Sequence, residues 1–505
     1  MVRKKVLLIL AIVTAAAMSV SVTACLASNK ASVSSETEVQ TQTEDITTSE
    51  EISNTEDGGH AIEVSGDEAS YSNIKVTKTG DSSSGDEADF YGDNAAVFAT
   101  DGATLTLEDI VVNTNGKHAN AVFSYGSGTT VNISNSVITT SGNCSGGLMT
   151  TGGGTMNAAN LDIHTTGNSS AAIRSDRGGG TVNVDGGTYV TDGKGSPVIY
   201  STADITVSNA TLESTTSEGV VVEGKNSVTL NNVSLTADNN AHNSNKSDNY
   251  KAVMIYQSMS GDASVGLATF TMTGGSITNK NGDVFFVNNT SATITLENAE
   301  IINQDTDGVF LRAAAAGWGT EGSNGGKVNL ILKDQDQTGD IVVDKVSALN
   351  LYLSEGTTYT GTINAANEGE VYVEIEKGSK WVLTDDSYIT GLTCEADAVD
   401  LNGHKLYVGG TEYTAGTSST GTAITIATES SGKPDGMPGE PPSGGMPDGE
   451  KPSGDFPGDP PSGEKPSGNP PGDTPSGEKP SGDPPEGFPG GKDGERPAKP
   501  SETTT

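Results

Sequence analysis

Cysteine, aromatic side chains, basic residues and long apolar runs are all scarce in this 505-residue chain. Three cysteines, Cys25, Cys144 and Cys394, exclude a disulfide-dense scaffold and a cysteine-rich zinc fold. Lys and Arg number 28 against 66 Asp and Glu, for a formal net charge of −38. So acidic a chain does not hold nucleic acid or an anionic membrane face by charge; cations and neutral, hydroxyl-rich surfaces suit it better. Aromatics at 5% and 65 glycines do not fit a helical protein. The longest apolar run, near the start, is too short to span a bilayer as a mature helix. Proline is nearly missing until late, since 19 of the 20 lie between Pro434 and Pro500.

What is present divides the chain into four stretches. Residues 1–24 read as an export signal: Arg3, Lys4 and Lys5, then apolar Val6 to Val13, then small residues. Residues 25–59 are rich in Ser, Thr and Glu and are expected to form a solvated tether. Residues 60–410 carry a repeat. Residues 411–505 are expected to form a Pro/Gly/Ser-rich disordered tail, in which Pro-Ser-Gly-Glu-Lys-Pro occurs at 461–466 and again at 475–480.

The repeat is read from apolar anchors at Ala69, Leu105, Val131, Met156, Val182, Ile205, Val228, Phe270 and Ile294. Two residues after each comes another small or apolar residue, the alternation of a strand with one face inward. Four residues after each stand Asn73, Asp109, Asn135, Asn160, Gly186, Asn209, Asn232, Gly274 and Asn298. These types tolerate a left-handed backbone at a sharp bend. A second strand and then a short third one follow, as in Ala121-Val122-Phe123. Most units are 23 to 26 residues long. Leucine-rich repeats lack the bend residue, and a propeller needs four strands in about 40 residues. The expected fold is all-β: a single right-handed parallel β-helix. Late anchors at Val328, Leu349 and Val371 put Leu332, Leu353 and Ile375 at the bend, so flatter coils are expected there. The long spacings after Val228 and Ile294 place loops at about 236–252 and 313–327, the second holding Trp318 between glycines. Cys144 and Cys394 are anchored nine units apart, about 43 Å at ~4.8 Å per coil, so each is expected to be a lone thiol.

The asparagine ladder with a short third strand resembles the pectin-lyase-like superfamily over about residues 60–410. The stretch with Trp381, Thr384 and Ser387 is similar to the cap of autotransporter passenger domains. Val22-Thr23-Ala24-Cys25 resembles a bacterial lipobox, with Cys25 as the lipidated residue. Together with the Gly436-Met437-Pro438-Gly439 tail, it looks like clostridial-type surface lipoproteins, some of them carbohydrate-binding β-helices. The resemblance implies an exported protein, lipid-anchored to the bacterial membrane and facing outward. No other membrane contact and a monomeric state are expected.

In enzymes of that superfamily the work is done on the sheet of third strands. With an assumed parity, the outward residues here include Phe123, Tyr125, Arg174, Asp176, Ile199, Glu223, Met254, Tyr256, Phe285, Phe310 and Arg312, with Trp318 from the nearby loop. A one-residue slip would exchange the faces. Ring faces stack on the apolar CH faces of sugars, so this set is the candidate glycan or host-surface site. Catalysis has thinner support. Asp176 and Glu223 stand two coils apart, roughly 10 Å, which is marginal for a pair acting across one glycosidic bond. The hydrolase signatures are missing as a set. Arg174-Ser175-Asp176-Arg177 is the nearest approach to a lyase site. A polysaccharide lyase or hydrolase, and a purely structural stalk, are the alternatives to a non-catalytic binding protein. No cofactor is called for. Calcium is the one possible ion: Asp305 and Asp307 open a calcium-loop pattern whose twelfth position is Ala314.

Overall fold

The computed structural model describes residues 46–426; Cys25, the expected export signal and the proline-rich stretch lie outside the described residues. The repeat closes into a parallel β-helix. A 21-stranded sheet collects the first and second strands of the units. An 11-stranded sheet collects the third strands in coil order, from Ile62–Ser65 to Ile341–Val343.

The bend residues explain the closure. Asn73, Asp109, Asn135, Asn160, Asn209, Asn232 and Asn298 have φ between 49 and 55°, and Gly186 and Gly274 have 75 and 64°. An ordinary side chain there costs ~1–2 kcal/mol, which Asn and Gly largely avoid. The amides also stack. Asn160 Nδ2 donates to Asn135 Oδ1 at 3.0 Å, and Asn232 Nδ2 to Asn209 Oδ1 at 3.1 Å. The anchors from Leu105 to Ile294 are at most 1% exposed and form one continuous core. Phe270, Phe285 and Phe310 meet edge to face inside it with centroids 5.5 and 5.8 Å apart.

The first two of the late coils keep the left-handed bend. Ile294 pairs with Leu330, which pairs with Leu351, so the anchor lies two residues beyond the expected one. Asp334 (φ 44°) and Glu355 (φ 55°) therefore fill the bend. The first strand is long here, Gly326–Lys333, and an even shift along a period-2 pattern leaves the sequence alternation unchanged.

The folded region is also wider than 60–410. Glu50–Asn54, expected in the tether, pairs with Ile74–Lys78; only its Ile52 packs against the core, which is why the composition hides it. At the far end Thr411–Glu412 pairs antiparallel with Tyr407 and Val408. Cys394 bridges Ser419, and Ile424 N donates to Asn350 Oδ1 at 2.9 Å. Cys144 and Cys394 are free thiols.

A corner motif escaped the sequence reading. Thr140, Thr165 and Thr191 end second strands, and each donates its hydroxyl to the carbonyl of Ser145, Ser170 or Ser196. Between them Gly116, Gly142, Gly167 and Gly193 stack so closely that a Cβ would meet the preceding glycine carbonyl oxygen at 1.8–2.0 Å. Both expected loops exist and come together: Gly317 N donates to Lys246 O at 2.7 Å.

Candidate functional site

Strand register fixes which residues leave the third-strand sheet outward. They run Phe98, Phe123, Met149, Arg174, Tyr200, Val221, Met254, Phe286 and Arg312, each paired with the next. The assumed parity therefore slips at three positions. Phe285 and Phe310 lie in the interior core, as does Ile199, and none of them reaches the outer face. Phe286 and Tyr200 take the outward places instead. With Phe at both 285 and 286, composition gave no means of choosing. At Ile199-Tyr200 the β-branched residue turning inward was an available signal.

The face divides into two parts. Over the first part lies the only α-helix among the described residues, α1 (Asp86–Tyr91). Phe98, Phe123 and Met149 form a small apolar cluster beneath it, with Tyr125 at its margin. Phe123 is fully buried and Tyr125 half-buried. Asp89 of α1 is 2% exposed and takes Arg174 Nη1 at 3.2 Å and Asn120 Nδ2 at 3.1 Å. Burial pushes the Asp89 carboxyl up, but Arg174, His118 and Asn120 together hold it below the usual range. Arg174 also donates to Asp176 at 2.8 Å. Burial outweighs that partner, and Asp176 is pushed up to about 6. Arg177 pairs with Asp262 at 2.8 Å and lies 3.9 Å over the Phe90 ring. Arg174 and Asp176 are thus committed to holding α1 and the sheet together.

The second part is a cleft of about 110 Å³ between the sheet and the two loops. Tyr200, Val221, Met254 and Tyr256 form its floor. Trp318 stands on one side; Asn239, His242, Asn243, Ser244 and Ser247 stand on the other. Trp318 meets Tyr256 edge-on at 5.2 Å, and His242 stacks on Tyr250 at 4.2 Å. Lys251 enters from below, 4% exposed, donating to Asn249 O at 2.7 Å; burial lowers its pKa against the pull of Glu218 and Asp283. Glu223 is 1% exposed, and its carboxylate accepts from the Tyr200 and Ser258 hydroxyls. It fixes the Tyr200 ring and the loop after Tyr256.

The remaining candidates lie elsewhere. Arg312 points outward and is tied to Asp283, with Nε 2.6 Å from Oδ2. Asp305 accepts from the backbone N–H groups of Gly282 at 2.6 Å and Asp307 at 2.9 Å, and these bonds lower its pKa. Among the described residues, the groups of three or more metal-type donors are Asp89–His118–Cys144 and Asp385–Asp386–His404, neither containing Asp305 or Asp307. The sequence reading missed Tyr200, His242 and Lys251 in the cleft and His118 behind α1. Of the expected set, the cleft gathers Met254, Tyr256 and Trp318, with Glu223 buttressing them. No family model, curated protein or solved structure matches this chain.

Proposed function

We propose that this chain is a non-catalytic carbohydrate-binding β-helix, of the pectin-lyase-like kind, displayed on a bacterial surface through a lipid on Cys25. The cleft carries this reading. Its rings (Tyr200, Tyr256, Trp318) offer stacking faces, and its amides, hydroxyls, Lys251 ammonium and Glu218 carboxylate suit a ligand covered in hydroxyl groups. The strong net negative charge sets it against acidic polymers at long range, so neutral glycans are the favoured class.

Catalysis has less support. Glu223 has both carboxylate oxygens taken by hydroxyl donors and is almost fully buried. Asp176 and Asp89 share one guanidinium outside the cleft, and Glu218, the carboxylate that lines it, accepts from Ser217 Oγ at 2.8 Å and faces Lys251 Nζ at 3.9 Å, with no second carboxylate among the lining residues. General acid–base work needs a carboxyl within reach of the glycosidic oxygen. The test is a glycan array, with and without calcium, run on the wild type and Trp318→Ala, beside a turnover assay on acidic polysaccharides. The proposal expects saturable binding to a neutral glycan, lost in the variant, and no turnover. Product release would overturn it in favour of a lyase or hydrolase; no binding at all would favour a stalk.

A further inference from the structure

We infer that Asp89, His118 and Cys144 bind one thiophilic divalent transition metal, with zinc the biological candidate. One donor atom from each lies within 4.8 Å of the other two. The fold delivers them from two places. His118 and Cys144 hold equivalent corner positions on consecutive coils, both with φ 56°, and their N–H groups donate to Asn143 O and Asn168 O, each one coil further on. Stacking at ~4.8 Å sets them side by side. Asp89 reaches them from α1. Asp89 and His118 are each 2% exposed, and Cys144 is half-buried, which leaves a way in.

The independent sign is on the histidine. His118 Nδ1 is buried and has no hydrogen-bond partner, although it lies 3.2 Å from Asp89 Oδ2. The histidine nitrogen thus stands beside the carboxylate without a hydrogen bond to it. Two ligands at ~2.0–2.1 Å on a tetrahedral ion stand about 3.3 Å apart, so this separation suits neighbouring ligands.

Thiolate, imidazole and carboxylate together select zinc or cobalt over calcium, which wants oxygen ligands alone. Binding exchanges the thiol proton for the metal: the S–H bond breaks, the S–metal bond forms, and one proton leaves to solvent. The thiolate and Asp89 then balance the ion's two charges, while Arg174, 3.2 Å from Asp89 Oδ2, has its own charge balanced by Asp176 at 2.8 Å. Three protein ligands leave a fourth position for water. The metal would pin α1 across the coils, independently of glycan binding in the cleft.

The test uses the full chain, thiols reduced, carrying Cys25→Ser and Cys394→Ser so that Cys144 is the only thiol. Cobalt(II) is titrated in. The expected result is a near-ultraviolet thiolate-to-cobalt band that saturates at one equivalent and is bleached by one equivalent of zinc. Cys144→Ser should lose the band while melting, metal-free, like its parent. Asp385→Asn with His404→Ala, altering the other donor cluster, should keep it. No band at one equivalent, or a band surviving Cys144→Ser, would overturn the inference. Should Cys144→Ser fail to fold, alkylation of Cys144 in the parent decides: protection by zinc supports the site, and an unchanged rate removes it.

Discussion

An asparagine at the bend does two things that alanine cannot. It accepts the left-handed backbone, and it passes a hydrogen bond to the coil beside it. Asn232→Ala should cost about 2–3 kcal/mol, combining ~1–2 for the backbone with about 1 for the bond to Asn209. Asn232→Gly should recover the backbone part; equal losses for both variants, measured by denaturant unfolding, would contradict this. The bend was legible because few residue types fill it. The corner was not, because its information lies in contacts between coils. Gly167→Ala puts a methyl 1.9 Å from Gly142 O and should cost more than about 4 kcal/mol or prevent folding. Asp176 adds a pH signature. Its carboxyl titrates near 6 when folded against an ordinary 3.8, so the unfolded chain ionises first as pH rises. Its contribution therefore falls between about pH 4 and 6. Asp176→Asn should gain on wild type over that window by up to about 3 kcal/mol, at ~1.4 per unit. Denaturant midpoints of both proteins across the window measure the gain, and a constant difference would refute the assignment.

Among the elements, the two insertions turn a regular face into a cleft. Their existence was readable from spacing alone, 42 and 34 residues where 23 to 26 is the rule. Their meeting was not, since nothing local links Lys246 to Gly317. The third strand shows the same limit. Its parity is decided by register, and at Phe285-Phe286 either ring suits either face. Strand and bend identity come from local chemistry; the floor of the cleft comes from how eleven strands line up. Trp318 is partly exposed against Tyr256 and outside the main core, so Trp318→Ala should leave the melting temperature within about 2 °C, as surface changes of ±0.5 kcal/mol do, while abolishing glycan binding. A large thermal loss would make the ring structural. Helix α1 was invisible in the sequence reading: six residues, Asp86–Tyr91, carry no usable period, and its worth lies in Asp89 and Phe90 reaching the sheet.

For the whole molecule, stability rests on stacking without covalent closure. The 46–426 region has two cysteines, both free, so a reductant should not move the melting temperature. A clear drop would mean that the coil count between Cys144 and Cys394 is wrong. The architecture was legible because the repeat writes it many times over; the proposed site is written once, in a cleft made by insertions. That cleft contains one of the chain's two tryptophans, Trp318, while Trp381 is fully buried near the far end. Tryptophan fluorescence therefore reads the cleft directly. A Trp381→Phe protein is titrated with neutral oligosaccharides of several linkages. Glycan binding predicts a saturable emission change for at least one of them, absent when Trp318 is also replaced. Emission unmoved by every sugar, or moved equally without Trp318, would contradict the account.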